Sequence, residues 1–183
     1  MAKDEFSDKK KPYWSKDEAV ANIQRYCAFQ ERCHKEVRYK LIEHAIYGDL
    51  LEEIISDLIS NNFLDEERFA RTFARGKFRM KQWGRNKIKQ ELKIRDVSAY
   101  SIKAAMTEID GGEYLSVLSN LLAKKERTTT FKNQLDKKKK LTDYALSKGY
   151  EYDLIAEMIG KREIIDVFGL HDMCGFGVCF AQN

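Results

Sequence analysis

One proline in 183 residues leaves little that forces a chain to break, and ten glycines add few further breakers. What remains is rich in Lys, Glu, Leu, Ile and Ala, all compatible with helix. No run of about eighteen apolar residues occurs, so no transmembrane helix is expected. The N-terminus, "MAKDEFSDKKKPYWSK", lacks the apolar core of a secretory signal. A cytoplasmic, reducing location follows, with the four cysteines as free thiols. Cys27 and Cys33, with His34 alongside, are not spaced as the usual zinc pair. Cys174 and Cys179 lie in a glycine-containing tail, and ligation or oxidation is not expected there either.

Catalytic patterns are also missing. There is no Walker P-loop, no GxGxxG and no GxSxG elbow. His34, His44 and His171 have no triad or HExxH context. The carboxylates Asp65, Glu66 and Glu67 sit where a helix N-terminus accounts for them better than a metal does. No cofactor and no metal are expected, and a binding module is favoured over an enzyme.

Residues 1–16 are polar and aperiodic and read as a disordered arm. From Asp17 the pattern turns helical: Asp17–Gln30, Arg32–Ala45, Asp49–Ser60, Asp65–Met80, Arg85–Arg95, Ser98–Ile109, Gly112–Arg127, Leu135–Ser147 and Glu151–Lys161. The punctuation is local: Gly48-Asp49, Asp65 three residues before Arg68, Asp96-Val97-Ser98, Gly111-Gly112 and Gly149. These helices fall into threes. "KEVRYKL", "NKIKQEL" and "KKLTDYA" superpose Val37, Ile88 and Leu141, and four residues later Leu41, Leu92 and Ala145. The helices that follow superpose Ile54, Ile102 and Leu154, then Leu58, Met106 and Met158. The expected fold is all-α, an elongated array of three tandem three-helix repeats at 17–62, 63–111 and 112–162, with an atypical tail at 163–183. A unit of about fifty residues is marginal alone and should pack on its neighbours.

Net charge is only +4, so its distribution matters more than its sum. From Arg71 to Arg95 there are ten Lys or Arg and a single acid, Glu91. At about 100° per residue, Phe69, Phe73 and Met80 share one arc of the Asp65–Met80 helix, read as core. Gly76 lies near that arc, where a close approach or a bend is expected, and Phe78 falls beside the arginines, away from the core. Arg68, Arg71, Arg75 and Arg79 form a separate stripe of one sign, whereas ordinary solvated faces mix signs. With Lys81, Arg85, Lys87 and Lys89 they are the candidate contacts to an anionic partner. Phe69, Phe73, Ile88, Leu92, Ile102 and Met106 are the expected core. A second cluster, Lys124, Lys125, Arg127 and Lys137–Lys140, is as compatible with a mobile solvated loop as with a site.

The stretch "FLDEERFARTFARGKFRMKQWGRNKIKQEL" resembles the central signature of the RecX family of recombination regulators. The matching positions are Leu64, Asp65, Glu66, Phe69, Ala70, Arg75, Lys77, Gly84, Ile88 and Leu92, and the resemblance extends over about Asp17–Ile159. It implies tandem three-helix repeats without catalytic activity. It further implies binding to the RecA recombinase filament on single-stranded DNA, insertion in its groove and restraint of its growth and activities; a monomer is expected, although the sequence does not fix oligomeric state. Two positions depart from the pattern: Asp96 stands where the family often has Gly, and Glu66 where it has Asp. The alternative reading is a helical-repeat protein that binds nucleic acid directly; a scaffold for another acidic protein is a third.

Overall fold

The computed structural model describes residues 13–168, with side chains through residue 161. Among these residues the protein is all-α: α1 (Lys16–Phe29), α2 (His34–Ile42), α3 (Gly48–Ser60), α4 (Glu66–Lys81), α5 (Arg85–Ile94), α6 (Ala99–Met106), α7 (Gly111–Arg127), α8 (Gln134–Lys148) and α9 (Tyr152–Phe168). No described helix is long and apolar enough to cross a membrane. The chain divides into two compact units. One runs to Lys81 and includes Ile88–Ile109; the other contains Gln82–Lys87 and begins again at Asp110. The tail cysteines Cys174 and Cys179, His171 and the first twelve residues lie outside the described part.

The expected arm ends earlier than its composition suggests. Trp14 already belongs to the first unit: its ring stacks on His44 at 3.5 Å and its backbone N–H donates to the His44 carbonyl. Ser15 then opens α1 with a capping box, its hydroxyl accepting from the Glu18 N–H while Glu18 accepts from the Ser15 N–H. The core of this first part is Ile23, Val37, Leu41, Ile46, Ile54 and Leu58 with their neighbours. Cys27 and Cys33 are buried in the same region as free thiols, and burial pushes the Cys27 thiol up to about 11. Cys33 also serves as the N-cap of α2, which starts at His34 rather than Arg32; its sulfur accepts from the Glu36 N–H.

The repetition seen in the sequence is a repeated turn. Four residues after Leu41, Leu92 and Ala145 come Ala45, Asp96 and Gly149, with φ of 63°, 58° and 91°. One residue later the N–H of Ile46, Val97 and Tyr150 donates back to the carbonyl of Leu41, Leu92 and Ala145 at 3.1, 3.2 and 3.2 Å. All three following residues are buried. Counted from this turn, the third helices align at Leu51, Ile102 and Ile155, each buried, and not at Ile54, Ile102 and Leu154. Helix spacing alone leaves that register open, because each of these helices has apolar residues at several i, i+3 and i+4 positions.

Only glycine takes a left-handed φ without steric cost, so Ala45 and Asp96 are strained relative to Gly149. Asp96 therefore keeps the turn that glycine would make, and its carboxylate reaches Lys35 at 2.9 Å, a surface pair of small energetic weight. Ala45 is exposed and has no such compensation. Ala45→Gly should stabilise the protein by about 1 kcal/mol, and Asp96→Ala should destabilise it by a similar amount, about 1 kcal/mol. Urea unfolding midpoints check both; shifts of the same sign in the two variants would contradict the turn assignment.

Candidate anion-contacting surface

Helix α4 begins where the acidic triplet predicts, but the three carboxylates divide their roles. Asp65 is the cap, accepting from the Arg68 N–H at 2.8 Å. Glu67 pairs with Arg71 one turn on, at 2.8 Å. Glu66 does not cap α4. It accepts from the Ser98 N–H and from the hydroxyls of Ser98 and Ser101, so it ties α4 to the first turn of α6. Burial alone would raise the Glu66 carboxyl, but these donors outweigh it and hold the group below the usual range. Among the described residues no group of three metal-ligating side chains assembles.

The buried face of α4 is Phe69, Ala70, Ala74 and Phe78. This turns the helix away from the expected orientation. Met80, expected in the core, is 81% exposed; Phe78, expected outside, is 1% exposed. Phe73 is half-buried, and Met106 on α6 is likewise only partly covered, while Phe69, Ile88, Leu92 and Ile102 are buried as expected. The large apolar residues alone point to one edge of the buried face. The two alanines mark its centre, since a helix packs most closely where side chains are small. Gly76 is not a point of close approach: a Cβ there would meet nothing within 4 Å.

The arginine stripe is largely occupied by the protein's own acids. Arg68 pairs with Glu31 at 2.7 Å and also donates to the Asn62 carbonyl. Arg71 binds Glu67 and Glu108, each at 2.8 Å, and both carboxylates raise its pKa further. Arg75 approaches the other oxygen of Glu108 at 3.9 Å. Occupancy thus falls along the helix. Arg79 and Lys81 are exposed, and no hydrogen-bond or ion-pair partner accompanies them among the described residues. They stand in the last turn of α4, where the helix dipole also favours cations. Lys89 is half-buried, likewise with no such partner among the described residues.

Arg85 and Lys87 fall in the second unit and are used there. The guanidinium of Arg85 lies 4.3 Å from the Tyr114 ring centre. Lys87 donates to the Ser147 carbonyl at 3.1 Å and sits over the Trp83 ring. These contacts belong to a clamp. Three successive N–H groups opening α5, from Gly84, Arg85 and Asn86, donate to the Lys148 carbonyl, the Tyr114 hydroxyl and the Gly149 carbonyl at 2.8, 3.1 and 3.1 Å. The backbone donors at one helix start thereby meet carbonyls at another helix end. The Tyr114 hydroxyl donates its own hydrogen bond to Glu151 at 2.6 Å, and burial and the adjacent carboxylate both raise its pKa. The predicted contact set is therefore split: five positions on α4 and Lys89 in the first unit, two in the second.

A cleft of about 380 Å³ opens beside the free end of α4. Phe73, Gly76, Lys77, Met80 and Lys81 line it from α4, and Arg95 from the residue after α5. Phe73 is flanked by two cations, the Lys77 ammonium at 5.1 Å and the Arg95 guanidinium at 4.9 Å from its ring centre. Arg95 is anchored by Glu91 at 2.6 Å, and Glu31 and Glu36 complete the far side. Phe29, the last residue of α1, is 85% exposed next to the cleft-lining Gln30. The arrangement offers an apolar slot with Lys77, Lys81 and Arg95 on its rim. Lys77, four residues after Phe73, was legible as a helical neighbour; Arg95 was not, since only packing brings it there.

The family description "RecX, second three-helix domain" matches residues 65–106, which hold α4, α5 and α6. The regulatory protein RecX of Streptococcus uberis is 27% identical over 142 residues, covering 76% of this chain and 53% of that protein. That of Clostridium perfringens is 34% identical over 133 residues, covering 71% of this chain and 61% of that protein. The chain thus spans about half the length of the streptococcal relative. The crystal structure of RecX from Lactobacillus salivarius shares the fold, with a TM-score of 0.73 at 23% identity over 82% of this chain and 97% of that one. These relatives are named regulatory proteins. By the matched middle module, the sequence shared over most of its length and the common fold, the chain belongs to the RecX family.

Proposed function

We propose that the chain is a cytoplasmic regulatory protein that acts by binding rather than catalysis, as a monomer, on the RecA recombinase filament assembled on single-stranded DNA. It restrains growth of that filament and the activities the filament supports. Family membership supports this reading. The observation that carries it on the chain itself is the free end of α4, where Arg79 and Lys81 face solvent beside the Phe73–Met80 cleft. A nucleoprotein filament presents phosphates and acidic protein surface together with apolar side chains, and this surface complements each of them. Arg68, Arg71 and Arg75 support it from behind, through Glu31 and Glu108, rather than by direct contact.

The test is ATP hydrolysis by the cognate RecA on single-stranded DNA with increasing amounts of this protein. Stoichiometric inhibition is expected. The double variant Arg79→Glu, Lys81→Glu leaves the Arg71–Glu108–Arg75 bridge intact and should stay folded, losing about 1–2 kcal/mol because the α4 dipole favours cations in its last turn. It should need about tenfold more protein for the same inhibition, as two exposed charges reversed against an anionic partner imply. Absent inhibition by the wild-type protein would refute the function, and equal inhibition by the variant would refute the site.

A further inference from the structure

The second unit carries a separate cationic surface. Between Lys124 and Lys148 there are nine Lys or Arg and three acids. Two of those acids are consumed locally: Glu126 binds Lys137, and Asp136 binds Lys140 at 2.7 Å, which with the Lys132 N–H holds its carboxyl below the usual range. No ion-pair partner among the described residues accompanies Lys124, Lys125, Arg127, Lys138, Lys139 or Lys148. The surplus is organised by aromatic rings. The half-buried Tyr144 holds two ammonium groups, Lys125 of α7 at 5.1 Å and Lys148 of its own helix at 5.7 Å from the ring centre. One turn earlier the Lys140 ammonium lies 5.8 Å from the Phe131 ring and donates to the Thr130 carbonyl at 3.2 Å. Lys137, Lys140, Tyr144 and Lys148 are spaced three, four and four apart, so they share one face of α8 about 16 Å long, on which Lys137 and Lys140 are held by acids while Lys148, with Lys125 of α7, carries the unneutralised charge.

We propose that this α7–α8 face binds single-stranded nucleic acid through its phosphate backbone, independently of the recombinase. The geometry differs from that of a merely solvated helix. Tyr144 is a positioning residue: it draws Lys125 and Lys148 together from two helices without neutralising them, which restricts their side chains before any ligand arrives. A flexible strand can follow cations along a helix face and leave bases free to pack on the partly exposed rings, an arrangement a rigid duplex does not permit. An acidic protein surface is the competing occupant.

Fluorescence anisotropy of a labelled twenty-nucleotide oligothymidine, titrated with the full chain across a salt series, tests this. Binding that weakens with salt is expected, and a duplex of the same length should bind less well. Lys125→Glu with Lys148→Glu should weaken binding at least about tenfold and flatten the slope of log affinity against log salt by about 1.4, two phosphates' worth for a single strand. Tyr144→Ala should weaken binding and Tyr144→Phe should restore it, since the phenyl ring also holds the cations; a merely structural tyrosine would show its loss in the unfolding midpoint instead. No binding at low salt, or unchanged affinity in the Lys125/Lys148 variant, overturns the proposal. Displacement of the oligonucleotide by polyglutamate as efficiently as by unlabelled strand also overturns it, in favour of a protein partner. The Lys125/Lys148 variant should still bind RecA directly in the absence of DNA, so that failure here and failure of the recombinase reading are separable.

Discussion

Gly84→Ala should destabilise the second unit by about 3 kcal/mol or more, because the new methyl group overlaps backbone rather than side chain. A Cβ on Gly84 falls onto the Gly149 carbonyl, and one on Gly149 falls onto the Lys87 backbone. Neither strand of the clamp can retreat without breaking the bonds from Gly84 and Asn86 to Lys148 and Gly149. Gly149→Ala should be at least as damaging, since its φ of 91° is unfavourable for any side chain. Gly76→Ala is the internal contrast. Gly76 lies within α4 with open space around its Cα, so alanine should stabilise the protein by about 0.5–1 kcal/mol. Thermal and urea unfolding of the three variants measures these effects, with Trp83 fluorescence reporting on the clamp directly. A Gly84→Ala protein with a wild-type midpoint would show that the clamp does not form.

Phe78→Ala should cost about 3–5 kcal/mol, and Met80→Ala close to nothing. Phe78 is 1% exposed, so its removal leaves a cavity; Met80 is 81% exposed and already wet. The pair discriminates between two orientations of one helix that differ in which large apolar residue faces inward. On the proposed function, Met80→Ala should instead show its effect on RecA inhibition, because Met80 lines the cleft beside Arg79 and Lys81. An inverted pattern, with Met80 the costlier residue, would return α4 to the orientation that its large side chains alone suggest.

Much of the fold was legible in one sequence because its signals are local. Asp65, Ser98 and Gly149 each act on backbone within a few residues, so they mark helix ends without knowledge of neighbours. Leu41, Leu92 and Ala145 were correctly superposed because they precede the same turn. The orientation of α4 is not legible in its large side chains, because alanine contributes little apolar area yet marks the closest packing, so Ala70 and Ala74 outweigh Met80. Glu66 looked like a cap and proved a tie to α6, because a longer side chain reaches past its own helix start.

The candidate site divides along the same line. By itself the sequence determined that α4 carries a stripe of arginines and that its end is cationic, since helical phase depends only on spacing. It also determined the cationic surplus around α8, which is a matter of composition. Only the tertiary structure decided which of these charges are free. Arg68 and Arg71 are neutralised by Glu31 and Glu108, each 37 residues away in the chain, and Arg85 and Lys87 are taken up by Tyr114 and Ser147. Charge along a helix is set by sequence, but the electrostatic potential that a partner meets depends on every carboxylate within a few ångströms, and folding chooses those neighbours.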